Sequence, residues 1–436
     1  MRLRVLSLAI VVAMGATGCD WNQFRFGSDH RGNNPDNGIS VSTVGSLVLA
    51  WSATPGGPPP PLHSSPAVAS GVVLIGANGQ YLRAYDAAGN ANCAGVPKVC
   101  TDLWSGIGAF GAGWSSPGVA GDLAYVGSNV GDLYAYDRAT CHTACDHTWL
   151  AQLNGPVNSS PAIAGGMVYV TSTAESSKLY AFDAAGTPAN CDATLHICQP
   201  LWTGAGPGGD SSPAVANGIV YSGGDKLYAF DAAGNTGCSD APKTCQPLWT
   251  APTGNTGSSP MMANGTVFIG SGDGKLYAFD AAGNTGCSGV PKTCQPLWTA
   301  ATGGGVYSSP AYANGVVYVG SDDHKLYAFD ASGTTDCSGM PKTCQPLWTA
   351  ATGDTVESSP AVANGVIYVG SNDHNVYAYD AHGGSNCLGT PKTCSPLWSA
   401  TTSGPISSSP AVVNGFVYVA CEDGNLYAFT PSANTP

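Results

Sequence analysis

The residues best equipped for chemistry are the cysteines, 16 of them in 436 residues. Fourteen fall into local pairs: Cys93/Cys100, Cys141/Cys145, Cys191/Cys198, Cys238/Cys245, Cys287/Cys294, Cys337/Cys344 and Cys387/Cys394. As thiolates they could bind zinc, but a tetrahedral site would need two pairs to converge on one ion. Successive pairs stand about 50 residues apart in a repetitive chain and would not meet. As cystines each closes a short loop, worth roughly 2–3 kcal/mol if unstrained. Seven such pairs would seldom persist as free thiols in a reducing cytosol, so the spacing implies an oxidising compartment. Cys19 and Cys421 are left over. Cys421 replaces a serine of other repeats (Ser321, Ser371) and reads as a buried thiol. Cys141-His-Thr-Ala-Cys145-Asp-His147 lacks the Cys-x-x-Cys-His of a haem c site and reads as a short cystine loop. No nucleophile elbow, phosphate loop or zinc-protease helix is present.

The elements that carry these loops repeat. Ser-Ser-Pro occurs eight times, with Pro66, Pro117, Pro161, Pro213, Pro260, Pro310, Pro360 and Pro410. A Tyr-Ala-Phe/Tyr-Asp element and a tryptophan (Trp51, Trp104, Trp149, Trp202, Trp249, Trp298, Trp348, Trp398) recur with it, 44 to 53 residues apart. Each unit holds four short apolar stretches separated by turn signals, Asn314-Gly315 among them, and so reads as a four-stranded antiparallel meander. The prolines open the first and fourth strands, the edges of such a sheet, where a missing N–H costs no ladder bond. Four-stranded repeats of this length predict a β-propeller. Trp51 precedes the first Ser-Ser-Pro, and the last unit has no fourth strand after Tyr427-Ala-Phe429. The expected fold is therefore all-β: an eight-bladed propeller whose N-terminal strand closes the last blade. The expected boundaries are a signal peptide at 1–18, a segment packing on the propeller at 19–46, the propeller at 47–430 and a tail at 431–436.

The units resemble the pyrroloquinoline-quinone (PQQ)-like propeller repeat, in which a Tyr-Ala-Phe-Asp strand accompanies a tryptophan that docks between blades. Trp21-Asn-Gln-Phe-Arg25 and Arg31-Gly32 are similar to that family's N-terminal segment. The family includes quinoprotein dehydrogenases and cofactor-free members such as the envelope lipoprotein of the outer-membrane β-barrel assembly machinery. Here the link between strands three and four carries an added cystine loop. The resemblance implies that a quinone would sit over the central channel, on the face of the Asp-rich turns. It would need oxygen ligands for Ca²⁺, a carboxylate base and an aromatic floor. The residues on that face are Asp322, Asp323, Asp354, Glu357, Asp373, His374, His63 and Trp114. Turn chemistry accounts equally for the carboxylates, since such turns favour Asp, Asn and Gly. The adjacent cysteine pair of some quinoprotein alcohol dehydrogenases is absent. No cofactor is expected, and PQQ with Ca²⁺ belongs to the alternative reading alone.

Fifteen Lys and Arg against 28 Asp and Glu leave a net charge of −13, with no basic footprint for nucleic acid. Arg2 and Arg4, the apolar run from Val5 to Met14 and Ala16-Thr17-Gly18 before Cys19 read as an export signal of the lipoprotein type. Cys19 is then the lipidated residue, and the chain is an exported, periplasmic or surface lipoprotein. Lys98, Lys243, Lys292, Lys342 and Lys392 each precede the second cysteine of a loop and could form a basic rim for an acidic protein or glycan. The function expected is a non-catalytic, monomeric envelope scaffold for protein partners. The alternatives are a PQQ-dependent dehydrogenase and a glycan-binding surface protein.

Overall fold

The computed structural model describes residues 20–432 apart from 36–37, 56–60, 78–80, 109–110, 174–176 and 207–208. The expected signal at 1–18, Cys19 and 433–436 lie outside the described residues. Eight sheets form the ring. One blade consists of Ala311–Ala313, Val316–Ser321, Lys325–Asp330 and Trp348–Ala351, innermost to outermost, all antiparallel. Asn314 and Gly315 both take positive φ, 49° and 85°, as a two-residue hairpin turn demands. Numbered in chain order, blade 1 begins at Ala67–Ala69 and blade 8 at Ala411–Val413. The N-terminal strand Leu47–Ala53 pairs antiparallel with Leu426–Pro431 and is the outer strand of blade 8. The expected closure is therefore present.

The Ser-Ser-Pro motif has a physical role in that closure. The second serine of each blade accepts, through Oγ, the backbone N–H of its counterpart in the preceding blade: Ser65 from Ser409, Ser116 from Ser65, and so on through Ser160, Ser212, Ser259, Ser309, Ser359 and Ser409. Eight bonds of 2.8–3.2 Å close a ring around the channel. The first serine accepts from the second strand of its own blade, as Ser308 Oγ does from Gly320 N–H. Ser309→Ala should leave the buried Ser259 N–H unpaired and cost about 1–3 kcal/mol. Urea unfolding checks this; an unchanged midpoint would refute the ring's role.

The tryptophans lock blades to one another. Trp51, Trp149, Trp202, Trp249 and Trp298 donate Nε1–H to the carbonyl of Ala87, Ala184, Ala232, Ala281 and Ala331 in the next blade. Tyr125, Tyr169, Tyr221 and Tyr418 donate to carbonyls of the same set. Trp104 and Trp348 are buried at their seams as well. Trp398 departs from the set: it is only half buried and donates to the Leu47 carbonyl.

The cystine loops do something the four-strand reading did not foresee. All seven expected disulfides are present. Each loop folds back along the outer strand of the preceding blade and pairs with it in parallel: Thr343 and Cys344 with Thr299 and Ala300, Thr393 and Cys394 with Thr349 and Ala350. Most blades thus have five or six strands. The loops lie in the links between the third and fourth strands, as expected, and in addition cover the neighbouring blade. In the six longer loops the second half-cystine is a core residue: Cys100, Cys198, Cys245, Cys294, Cys344 and Cys394 are all buried, none more than 4% exposed. Their partners Cys93, Cys191, Cys238, Cys287, Cys337 and Cys387 are partly buried and pack against the same apolar clusters. In the short loop the order reverses, with Cys141 buried and Cys145 partly so. The disulfides therefore tie each loop to a blade core. Four of the five rim lysines are engaged at their own loops. Lys98, Lys292, Lys342 and Lys392 donate Nζ–H to the carbonyls of Gly89, Gly283, Gly333 and Gly383 at 2.8–3.0 Å, clamping the turn that covers the tryptophan.

The N-terminal segment runs around the inner strands and plugs the channel. Backbone N–H groups of Val68, Val119, Val215, Met262, Tyr312 and Val362 donate to carbonyls of Trp21, Asn22, Ser28, Asp29, Arg31 and Gly32. Asn33–Asn34 pairs parallel with Val362 and Ala363. Arg25, 1% exposed, donates through its two terminal nitrogens to the Pro360 and Pro310 carbonyls, both at 2.6 Å. His30, also 1% exposed, contacts the Pro260 carbonyl through Nδ1 at 3.0 Å.

Candidate functional site

Above the plug the channel opens as a funnel of about 140 Å³, floored by Phe24 and lined by the serine ring. Its mouth is built by the residue that precedes Ser-Ser-Pro in each blade: His63, Trp114, Asn158, Asp210, Gly257, Tyr307, Glu357 and Ser407. The Ser-Ser-Pro that follows is invariant from blade to blade, yet this position holds eight different side chains. The scaffold makes the positions equivalent, so all asymmetry at the mouth comes from side-chain chemistry.

On one side His63 stacks on Trp114, centroids 4.0 Å apart, with the indole half exposed. His63 Nδ1 lies 3.0 Å from Ser407 Oγ and 3.4 Å from Glu422 Oε1. Ser407 donates to the same Glu422 oxygen at 2.7 Å. The hydrogen bond with His63 is the main cause that holds the Glu422 carboxyl below its usual range. Glu357 is shifted upward, first by burial and then by the Asp322 and Glu422 carboxylates. Asp322 is raised as well, by burial and by Asp323. Opposite, Asn158 donates to Asp210 at 3.0 Å, and Tyr307 stands 42% exposed. The mouth thus presents two accessible aromatic rings among carboxyl groups. It can receive an aromatic, cationic or sugar group, but no activated nucleophile is among its residues.

Of the sequence candidates, the mouth gathers His63, Trp114 and Glu357, with Asp322 close enough to act electrostatically. Asp323 and Asp373 are braces of their turns. Asp323 accepts from Tyr327 at 2.5 Å and Lys325 at 3.1 Å, and Asp373 from Tyr377 at 2.7 Å. Asp273 and Asp423 repeat this brace in other blades, so it is a property of the repeat. Asp354 lies 3.7 Å from His324, both half exposed. His374 takes a positive φ of 71° where the equivalent turns have Gly274 or Gly424, and its backbone carbonyl accepts from Thr402. Among the described residues no three His, Cys, Asp or Glu side chains are grouped so as to hold a metal ion. Cys421 is a buried thiol donating toward the Gly404 and Pro405 carbonyls, and burial raises its pKa to about 11. No helix of the described residues is long and apolar enough to cross a membrane.

A larger cleft of about 590 Å³ opens on the opposite face, between hairpin turns of blades 3–5 and the Asp29–Arg31 ion pair. Its walls are mostly the repeated Ala, Asn and Gly of those turns, without the diversified position.

Asn158, Asp210 and Tyr307 escaped the sequence reading. Aligning the eight Ser-Ser-Pro motifs and comparing the polar and aromatic side chains just before them would have exposed them.

A family model described as outer membrane protein assembly factor BamB matches residues 97–284, 240–338 and 341–434, well over half of the chain. The chain belongs to the BamB-like family of PQQ-repeat propellers. Among curated proteins none matches. BamB from Moraxella catarrhalis is 16% identical with a TM-score of 0.61, covering 88% of this chain and 97% of that one. A quinohemoprotein alcohol dehydrogenase from Comamonas testosteroni is 13% identical with a TM-score of 0.69, covering 94% and 80%. A europium-containing methanol dehydrogenase is 12% identical with a TM-score of 0.69, covering 95% and 98%. At these identities the structural likenesses establish the shared propeller and leave the chemistry to the residues.

Proposed function

We propose that the chain is a non-catalytic interaction platform of the cell envelope, anchored through a lipid on Cys19 and serving outer-membrane protein assembly. Its partner-reading surface is the funnel mouth. The observation that carries this reading is the column of eight different side chains lining the mouth, set on a rigid, self-bonded serine ring. A platform needs varied side chains on a fixed frame, and this chain varies that position while keeping the frame constant. Family membership supports the assembly role, and the seven disulfides support an exported location.

Photo-crosslinking residues placed at 114, 307 and 357 should capture one protein partner in intact envelopes, whereas the same group at Asn217 on the opposite face should not. Trp114→Ala with Tyr307→Ala should weaken that contact at least about tenfold, because half-exposed aromatics are the usual energetic anchors of an interface. Melting should be unchanged. Equal capture from both faces would sink the proposal. The half-exposed Trp114 that shares the funnel mouth with Glu357 is the feature favouring the dehydrogenase reading. Titration with PQQ and Ca²⁺ is expected to give no saturable binding; one-to-one binding with dye-linked alcohol oxidation would put an enzyme in place of the platform.

A further inference from the structure

Seven of the eight outer strands are covered by a cystine loop of the following blade. Wherever the loop lies, the outward-facing N–H near the start of the outer strand donates into it. Thr203, Thr250, Thr299 and Thr349 donate to Lys243, Lys292, Lys342 and Lys392 carbonyls at 2.9–3.0 Å. Ser105 and Leu150 donate likewise to Thr143 and His196. The eighth loop would come from blade 8, whose third strand and outer strand derive from opposite ends of the described chain. Among the described residues blade 7 therefore ends in an open edge, Trp398–Thr401. Its Ser399 N–H, equivalent to that of Thr349, has no partner among the described residues. Exposure follows: Ala300 and Ala350 are fully buried, whereas Ala400 and Trp398 are only half buried.

We propose that this edge docks an extended strand of a partner protein, running parallel to Trp398–Thr401 and supplying the missing eighth cover. The seven internal covers specify its chemistry. Each pairs in parallel, and six of the seven place a buried half-cystine (Cys100, Cys198, Cys245, Cys294, Cys344 or Cys394) against the strand or directly beside its pairing residues. The partner strand should carry a small apolar residue opposite Ala400 and no proline at its pairing positions. A second copy of this chain fits poorly, because two-fold pairing of one edge with itself is antiparallel and the copy's own loops are already engaged. The inference is independent of the funnel mouth, on another part of the molecule.

The probe is the disulfide-closed peptide of residues 335–346, which reproduces a natural cover. Titrated into the full mature chain, it should bind one-to-one. Amide exchange at Ser399 and Thr401, fast in the free protein, should slow toward that of Thr349. Ser399→Pro removes the outward donor without touching the inner ladder, so the variant should fold and bind at least about tenfold more weakly. Trp114→Ala should bind the peptide normally. Absence of binding, or binding indifferent to Ser399→Pro, would overturn the proposal. Ser399 protected already in the free chain would also overturn it. In that case release by dilution would assign the edge to a second copy, and release by removing 433–436 would assign it to the chain's own tail.

Discussion

Gly283→Ala is expected to destabilise the propeller by about 3 kcal/mol, against about 1 kcal/mol for Gly315→Ala. Both glycines adopt positive φ, 66° and 85°, so both variants strain the backbone similarly. What differs is the space. A Cβ at Gly315 would meet nothing within 4 Å, whereas one at Gly283 would fall 2.2 Å from Cδ1 of Trp249. That indole cannot retreat. It is 1% exposed, packs at 6.0 Å from Tyr221, and donates Nε1–H to the Ala281 carbonyl two residues before the glycine. The turn cannot retreat either, because Lys292 holds the Gly283 carbonyl at 2.9 Å and Asp280 accepts from the Asn284 and Thr285 amides. The contact therefore couples the blade seam, the turn and the cystine loop, and one methyl group stresses all three. Parallel urea titrations of the two variants separate the terms. Equal losses would show that the tryptophan seam yields and that only the backbone is constrained.

The same seam shows what could be read beforehand. Proline, tryptophan and Asn-Gly positions repeat with the blade, so strand order, closure by Leu47–Ala53 and the cystine pairing were legible in the spacing. The covering strands were not. Thr343–Cys344 is two residues long, too short for any periodicity, and its partner Thr299 belongs to a different repeat. For the same reason the spacing showed which cysteines pair and not that Cys245, Cys294 and their equivalents sit in the core. The anchoring of the lysines was hidden for a related reason: Lys342 donates to a carbonyl of its own loop, a contact no count of charges reveals. At the mouth, His63, Trp114 and Glu357 were placed on the right face. Their significance lay in the contrast between blades, which reading residues singly does not display. The plug was the least legible part. Arg25 and His30 occur once, outside the repeat, and their types suggest surface, whereas the ring of inner strands buries both.

Acid should expose that burial. Below neutrality the protein is expected to lose stability with a component that disappears in His30→Asn. Burial, reinforced by the neighbouring Arg25 cation, lowers the His30 pKa to about 3. In the unfolded chain an imidazole takes up its proton near pH 6.5. The folded state is the one that refuses the proton, so its contribution is complete above pH 6.5 and falls as pH drops toward 3. Each unit in that window costs about 1.4 kcal/mol, or about 2–3 kcal/mol by pH 4.5. Asp29, Asp322 and Glu357 act in the opposite sense, since burial raises their folded values and favours the fold as they protonate. The total slope is therefore a sum, and the difference between wild type and His30→Asn isolates the imidazole. Asparagine tolerates the positive φ of 58° at this position and keeps a donor for the Pro260 carbonyl. The variant should be less stable than wild type at pH 7 and close the gap by pH 4.5. Denaturant titrations at the two pH values measure this, and a pH-independent gap would mean that His30 is protonated inside the fold. Its ring would then have to share the channel with the Arg25 guanidinium, two cations facing proline carbonyls with no carboxylate between them. Arg25 itself is pushed down to about 9 by the same burial.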